Sequence, residues 1–454
     1  MSTGTAAGFA SRRVAWQIIR RVTRDGAWTG PAVDRALTNS TLDRRDRAFA
    51  TNLAFQTLRW QGTLDWALRF VVRRPLEDVE PDLLDVLRMG AWELLYGQTP
   101  DRAAVSTTVE LARAVQGARA VGFVNGVLRG LARRRAALPW PSEDSVEGRA
   151  LVLGYPEWIV AEADTRFTDQ ATRELEAGNQ PAALTVRAVD PDTTRARLTK
   201  EGIAADAGDL APEALHVTGV APAQLIARHG DLLVIQDASS MVVARTVAQA
   251  LAGGARVLDA CAAPGGKSTH LAQLGLRVVA ADRNAVRLGL VGELATRLSV
   301  QVDTAVADAT APPWRPQSFD GVLVDAPCTG LGVRRHPEVR WRRSAADVTT
   351  LAALQQSLLR ATVDAVAPGG TLVYSVCTWT TAETVDVVEQ FLRRHPEFSL
   401  ESVDHRLDSA ARGPGLQLST GQHGSDGMYI AVLRRAPDGG VASESATSPT
   451  ATVN

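Results

Sequence analysis

Apolar residues recur at helical spacing through the first third of the chain and at strand spacing through the last. Leu83, Leu84, Leu87, Ala91, Leu94 and Leu95 line one helical face, and Pro81 suits that helix's first turn. Similar faces run through Val14–Val22, Leu53–Leu68 and Val105–Val115, with little β-branched alternation between them. Residues 11–138 are therefore predicted to form an all-α bundle, after a flexible N-terminus at 1–10. The Pro-containing acidic stretch Pro139–Gly148 breaks the pattern and reads as a linker.

From 150 to 240 the pattern is mixed. Pro156–Ala177 reads as helix, and Leu184–Val189, His216–Val220 and Asp231–Ile235 as short strands, which makes a small α+β subdomain. From 241 to 435 the period becomes strand, turn, helix, repeated. The expected strands are Arg256–Asp259, Arg277–Asp282, Val300–Val306, Gly321–Asp325, Gly370–Val376 and Met428–Leu433. The expected helices are Ser268–Leu274, Ala285–Leu298, Ala345–Val366 and Ala382–Arg394. Such alternation predicts an α/β domain with a mostly parallel, doubly wound sheet. The tail 436–454 is Ala, Ser, Thr, Gly and Pro with little to bury, and is expected to be disordered.

Composition adds limits. A chain of 454 residues is too long for one core. No apolar run approaches 18 residues, and Met1–Ala10 lacks a signal-peptide layout, so neither a membrane span nor export is expected. Three cysteines without a C-x-x-C pair argue against disulfides and against zinc; a reducing cytoplasm fits, and no metal is expected. The net charge of −1 hides an asymmetry. Residues 1–140 carry 21 arginines against 13 acids, a net of +8, while the remaining 28 basic and 37 acidic residues give −9. A basic domain joined to an acidic one points to a polyanionic partner for the first. Only Lys200 and Lys267 are lysines, which reads as a mark of a GC-rich genome.

Two of the cysteines close strand patterns, in Gly321-Val-Leu-Val-Asp-Ala-Pro-Cys328 and Gly370-Thr-Leu-Val-Tyr-Ser-Val-Cys377. Carboxyl ends of neighbouring strands share one crevice in an open α/β sheet. Position alone leaves two readings open, small buried hydrophobes or thiol chemistry. The loop Asp259-Ala-Cys261-Ala262-Ala263-Pro264-Gly265-Gly266-Lys267-Ser268 follows the first strand and opens a helix. Its small residues let a ligand approach the backbone, and helix N-terminal amides favour negative charge. It is not a phosphate loop, because Cys261 stands where that pattern needs glycine. Asp282, Asp308 and Asp325 end or follow successive strands. Acceptors there suit a ribose, an adenine amine and an ammonium, which makes S-adenosyl-L-methionine a natural ligand.

Ala262-Ala-Pro-Gly-Gly-Lys267, Asp325-Ala-Pro-Cys328-Thr-Gly and Tyr374-Ser-Val-Cys377 resemble the motifs of the RNA 5-methylcytosine methyltransferases. Arg334-Arg-His-Pro-Glu-Val-Arg-Trp341 is similar to that family's ribosomal branch, called RsmB, Sun or Fmu. Asp46-Arg-Ala-Phe49, Leu58-Arg59 and Gly122-Phe-Val-Asn-Gly-Val-Leu-Arg129 look like the NusB-type RNA-binding helical domain of that branch. The resemblance covers roughly residues 11–435. It implies a NusB-like helical bundle, a small linker subdomain, and a Rossmann-like class I methyltransferase domain at 241–435. It implies methylation of carbon 5 of a cytosine in 16S ribosomal RNA, of the cytosine 967 type.

By the same resemblance, Cys261 to Lys267 would wrap the methionine and ribose of S-adenosyl-L-methionine. Asp282 would hold the ribose hydroxyls, Asp308 the adenine edge, and Asp325 the neighbourhood of the reacting groups. Cys377 would be the nucleophile and Cys328 the cysteine that helps release the product. Three positions depart from the family: Val376 stands where Thr is usual, Glu383-Thr384 where Glu-Asn is, and Val186-Arg187-Ala188 where an Arg-x-Asn is often seen.

The chemistry needs two such groups. A thiolate adding at carbon 6 of cytosine makes carbon 5 nucleophilic, and the carbon-5 proton must later leave before the thiol can be eliminated. Asp325 is a candidate partner for the cytosine edge. The basic run Arg334, Arg335, Arg340, Arg342 and Arg343, with His336 and Trp341 interleaved, has the makings of an RNA contact. His270 and His395 read as ordinary surface or core residues, and Cys261 as packing. The expected partner is 16S ribosomal RNA before full subunit assembly, with no DNA and no membrane, bound by a monomer. Transfer RNA remains an alternative substrate, and a NusB-like RNA-binding factor with an inactive methyltransferase domain an alternative class. A cysteine hydrolase would leave the Gly-rich loop unexplained.

Overall fold

The computed structural model describes residues 8–403, 407 and 413–438, and divides into two compact units. Residues up to Pro181 together with Val333–Ala345 form one; Ala182–Gly332 and the chain from Ala346 form the other.

The first unit is helical: α1 (Phe9–Thr23), α2 (Thr29–Thr38), α3 (Arg44–Arg59), α4 (Gln61–Arg69), α5 (Pro81–Leu95), α6 (Asp101–Gln116), α7 (Ala118–Arg134), α8 (Val146–Leu153), α9 (Glu157–Phe167) and α10 (Ala171–Asn179). The apolar stripes converge on one core in which Ile18, Leu53, Leu68, Leu87, Leu111 and Leu128 are fully buried. Caps set the boundaries. Pro81 sits in the first turn of α5 while the Glu80 carboxylate accepts the Leu83 amide at 3.0 Å, and Asp43 accepts the Asp46 amide at the start of α3. Each such cap contributes about 1 kcal/mol.

Several boundaries differ from the sequence reading. The helix expected to run through Leu53–Leu68 is two, broken at Trp60; Gly62 follows, where a Cβ would collide with the Trp341 ring. α1 begins at Phe9, inside the segment expected to be flexible, and residues 1–7 lie outside the described residues. The acidic linker ends early, because Ser145 caps α8 by accepting the Gly148 amide at 3.0 Å. By their contacts helices α8–α10 group with this unit, although the mixed subdomain is expected to begin at 150. The Thr63 hydroxyl donates to Leu151 O at 2.7 Å, and the left-handed Gly154 (φ +68°) lets the Trp60 ring approach where a side chain would clash.

In the second unit a four-stranded antiparallel sheet in the order β2-β3-β1-β4 comes first. It comprises β1 (Leu184–Ala188), α11 (Pro191–Lys200), β2 (Ala204–Ala207), β3 (Ala214–Thr218), α12 (Pro222–His229) and β4 (Leu233–Ile235). There follow α13 (Ala238–Gln249), β5 (Arg256–Asp259), α14 (Gly266–Gln273), β6 (Arg277–Asp282), α15 (Ala285–Arg297), β7 (Val302–Val306) and β8 (Phe319–Asp325). The short α16 (Val339–Arg342) lies in the stretch that returns to the helical unit. The unit closes with α17 (Ala345–Thr362), β9 (Val366–Val376), α18 (Val385–Arg394), β10 (Phe398–Glu401), β11 (Leu416–Leu418), α19 (Thr420–His423) and β12 (Met428–Arg435).

The large sheet runs β10-β12-β9-β8-β5-β6-β7, with β11 beside β12. Strands β9, β8, β5, β6 and β7 are mutually parallel; β12 enters antiparallel to β9. Alternation sorts its residues between two cores. Val322, Val324, Leu372, Tyr374 and Val376 face one, and Leu323, Val373, Ile430 and Val432 the other. The helix expected to reach Val366 stops at Thr362, and Val366 begins β9. Strands β2, β10 and β11 carried no clear apolar signal. The tail expected to be disordered is described only as far as Asp438.

Candidate active site

Strand order reverses at β5, which lies between β8 and β6, so the carboxyl ends of β5, β6, β8 and β9 define the crevice where ligands of open α/β sheets sit. The loop after β5 turns on Gly265, whose φ of +104° and contact with Val291 leave no room for a side chain. The amides opening α14 have no intrahelical carbonyls to bond and remain available to an anionic group. The Asp282 carboxylate at the end of β6 accepts the Ala263 amide at 3.2 Å and the Asn284 amide at 2.8 Å. It therefore braces the loop from its neighbouring strand. Asp308 is exposed and accepts both the amide and the hydroxyl of Thr310, which hold its carboxyl below the usual range.

Lys267 extends to Asp325, Nζ to Oδ2 at 2.7 Å, and the Ser375 hydroxyl donates to Asp325 Oδ1 at 2.8 Å. Burial works against the lysine's charge, but the Asp325 carboxylate prevails and raises its pKa. The two strand-end cysteines meet, with Cys328 Sγ and Cys377 Sγ 3.3 Å apart. The hydrogen bond with Cys377, then burial, then the charge of Cys377 push the Cys328 thiol well up. Two thiolates at that separation would repel. Val376, which departs from the family at this place, points into the core beside Leu372 and Tyr374 and is fully buried. A branched apolar side chain suits it there. Cys261 is half-buried against the same core, and burial pushes its thiol up, in keeping with a packing residue.

Two residues that were given no site role in the sequence reading support the site. Arg187, almost fully buried on β1, donates to Gly266 O at 2.5 Å, Gln236 Oε1 at 2.8 Å and Thr269 Oγ at 2.9 Å, tying the small sheet to the loop before α14. Burial draws its pKa down to about 9. An arginine inside an apolar strand pattern was the available signal. Asp259, at the end of β5, accepts the Ser268 hydroxyl at 2.6 Å, and burial raises its pKa to about 7. In the pH range between its unfolded value near 3.8 and about 7 the native state holds a proton that the unfolded chain has lost, so this group's stabilisation falls as pH rises. The stability advantage of the wild type over Asp259→Asn should therefore shrink by about 3 kcal/mol between pH 5 and pH 8. Urea unfolding at the two pH values measures it; an advantage that grows with pH would contradict the assignment.

The arginine-rich stretch does not behave as its composition suggests. Arg340 is buried, its guanidinium 3.6 Å from the Tyr155 ring centroid, and it donates to Gly154 O at 3.0 Å and Asn179 Oδ1 at 2.9 Å. It is a structural residue of the helical unit, not an RNA contact. Trp341 is half-buried over Gly62 and spends its indole N–H on Leu58 O at 2.8 Å. Glu338 accepts the amide and hydroxyl of Thr29, and Arg342 donates to Val22 O and Ala27 O. Arg334, Arg335 and His336 stay half-exposed, the His336 ring edge-on to the exposed Trp28 at 5.0 Å. His270 is a core residue whose Nε2 lies 2.7 Å from Glu213, and His395 stacks on Phe391.

An open parallel sheet with a glycine-rich loop after its first strand and acids at the next strand ends is an α/β methyltransferase domain, here on the same chain as a NusB-like helical domain. The family model for the 16S rRNA methyltransferase RsmB/F matches residues 247–434, that for the NusB family 10–133, and that for the RsmF/B-like ferredoxin-like domain 155–224. The chain is 37% identical over 430 residues to the ribosomal RNA small subunit methyltransferase B of Thermus thermophilus, covering 93% of this chain and 97% of that one. It is 35% identical over 444 residues to the protein of the same name from Xanthomonas campestris, covering 95% and 98%. The crystal structure of PH0851 superposes with a TM-score of 0.81 over 94% of this chain and 99% of that one, at 21% identity, which speaks for the fold alone. The chain belongs to the RsmB/F methyltransferase family.

Among the described residues, no helix is long and apolar enough to cross a membrane, and no cluster of His, Cys, Asp and Glu could hold a metal ion.

Proposed function

We propose that this protein transfers a methyl group to carbon 5 of a cytosine in 16S ribosomal RNA, with Cys377 as nucleophile and Cys328 as the group that releases the product. The observation that carries the reading is the 3.3 Å approach of two free thiols at neighbouring strand ends. The loop residues Cys261 to Lys267, with Asp282, fit S-adenosyl-L-methionine. The carboxylate is braced at the loop, and the α14 amides suit the amino acid's carboxylate. Asp308, exposed two residues beyond the end of β7, is the proposed acceptor for the adenine edge. When bound, the sulfonium supplies an electrophilic methyl group.

The protein's own part runs in two steps. Cys377, as thiolate, adds to carbon 6, and the electron pair displaced through the ring lets carbon 5 take the methyl group. The charge of Cys377 is then consumed in the S–C6 bond. That removes the hydrogen bond and the repulsion that kept Cys328 protonated, so Cys328 can lose its proton to solvent and take the one on carbon 5. Breaking S–C6 returns the thiolate, and the net balance is one proton released. Asp325, already bonded to Lys267 and Ser375, has lone pairs left for the cytosine edge. Arg334, Arg335 and His336 are proposed RNA contacts.

The test is direct: 16S ribosomal RNA free of modification, incubated with the full chain and methyl-labelled S-adenosyl-L-methionine, should yield 5-methylcytidine at one site by nucleoside mass spectrometry. Labelled transfer RNA with unlabelled ribosomal RNA, or methyl on another atom, would overturn the reading.

A further inference from the structure

Glu383 follows the Cys377 loop in a 3-10 turn before α18 and is fully buried, and the four donors that its carboxylate accepts are all neutral. Oε1 accepts the Thr329 amide at 2.8 Å and Gln355 Nε2 at 3.0 Å; Oε2 accepts the hydroxyls of Thr329 at 2.6 Å and Thr380 at 2.9 Å. Four donors fill the four lone-pair sites of one carboxylate. A plain core position would hold an apolar side chain, since a buried polar group is tolerated only when it is hydrogen-bonded.

The donors are not scattered. Thr329 directly follows Cys328, and its hydroxyl lies 2.8 Å from that of Thr378, which directly follows Cys377. Gln355 also donates to Pro327 O at 2.9 Å, on the other side of Cys328. Gly332, in the same loop, donates its amide to Cys377 O. Tyr374 on β9 fixes the clamp from below by donating its hydroxyl to Glu383 O at 2.6 Å. Every tie converges on the backbone beside the two thiols.

The geometry points to Glu383 as a positioning residue that sets the spacing of Cys328 and Cys377. The release step, which needs Cys328 at carbon 5, depends on it more than the addition step, which needs Cys377 alone. The kinetic half of this inference rests on the methyltransferase reading above; the spacing half does not.

Phenylarsine oxide, which binds two thiols only when they are close, reads the spacing without any RNA. The full-length wild type should take up one arsenical that shields both thiols from iodoacetamide, and Cys328→Ala should take up none. Glu383→Ala should bind it at least ten-fold more weakly while each thiol still alkylates singly and cofactor affinity stays within two-fold. Glu383→Gln, which keeps acceptors for the Thr329 amide, should recover most of the uptake. With RNA, Glu383→Ala should form the Cys377 adduct within three-fold of the wild-type rate but turn over at least ten-fold more slowly. Unchanged uptake, or equal loss of addition and release, overturns the assignment. Should Glu383→Ala not fold, Thr329→Val carries the same expectations. If the arsenical results hold while the wild type forms no RNA adduct, the function proposed above fails and the positioning role stands.

Discussion

Cys328→Ala should accumulate a covalent protein–RNA complex that survives denaturing electrophoresis, while Cys377→Ala should form none and lose methylation by three orders of magnitude or more, roughly the loss seen when a nucleophile is removed. The asymmetry follows from the 3.3 Å thiol pair. Alanine at 328 leaves the attacking thiolate and takes away the group poised to accept the carbon-5 proton, so addition and methyl transfer go forward and elimination stalls. Cys328 is also the thiol whose pKa is pushed up by its partner. Its removal therefore takes a hydrogen-bond donor from Cys377, and the adduct of the variant should form somewhat more slowly than that of the wild type. The measurement is a gel shift of labelled RNA after protein denaturation, with the ribonuclease-resistant remnant mapped to Cys377 by peptide mass spectrometry. Adducts from both variants, or normal methylation by either, would sink the division of labour.

Arg340→Ala should cost the helical unit about 3–4 kcal/mol, as expected when two buried acceptors lose their donor and a ring loses its cation. The Tyr155 ring would lose its cation, and Gly154 O and Asn179 Oδ1 would each lose a donor in a buried place. Lysine should recover little, because an ammonium cannot lie flat on the ring while donating sideways to two acceptors. Calorimetry of the full chain should show an earlier transition for both variants. RNA affinity measured well below that transition should stay within two-fold of wild type. A large loss of affinity with unchanged stability would restore the RNA-contact role that the arginine-rich composition suggested.

That arginine marks the limit of what local pattern can tell. Arg334-Arg-His-Pro-Glu-Val-Arg-Trp341 looks like one basic loop, yet the chain leaves the second unit at Val333 and returns after Ala345. The stretch caps α2 through Glu338 and fills a pocket beside Tyr155 with Arg340. Nothing within eight residues encodes a partner more than 150 positions away. Glu383 was noted only as half of a family pair, and its value lies in donors at 329, 355 and 380 that a folded sheet brings to one point.

Other features were open to reading because they depend on short-range physics. The strands Arg256–Asp259 and Arg277–Asp282 match to the residue, since a buried parallel strand is an unbroken apolar run ending in a turn. Helical faces of the first 138 residues showed as stripes because one side of each helix must meet the core. The glycine loop, the strand-end acids and the two cysteines stood out for the same reason: in this fold, position in the strand dictates position in the crevice. Sequence by itself thus determined the fold class and singled out the candidate loop, the strand-end acids and the two thiols. Only the tertiary structure decided that the thiols touch and what holds them there, because those depend on distances between neighbouring strands and on burial.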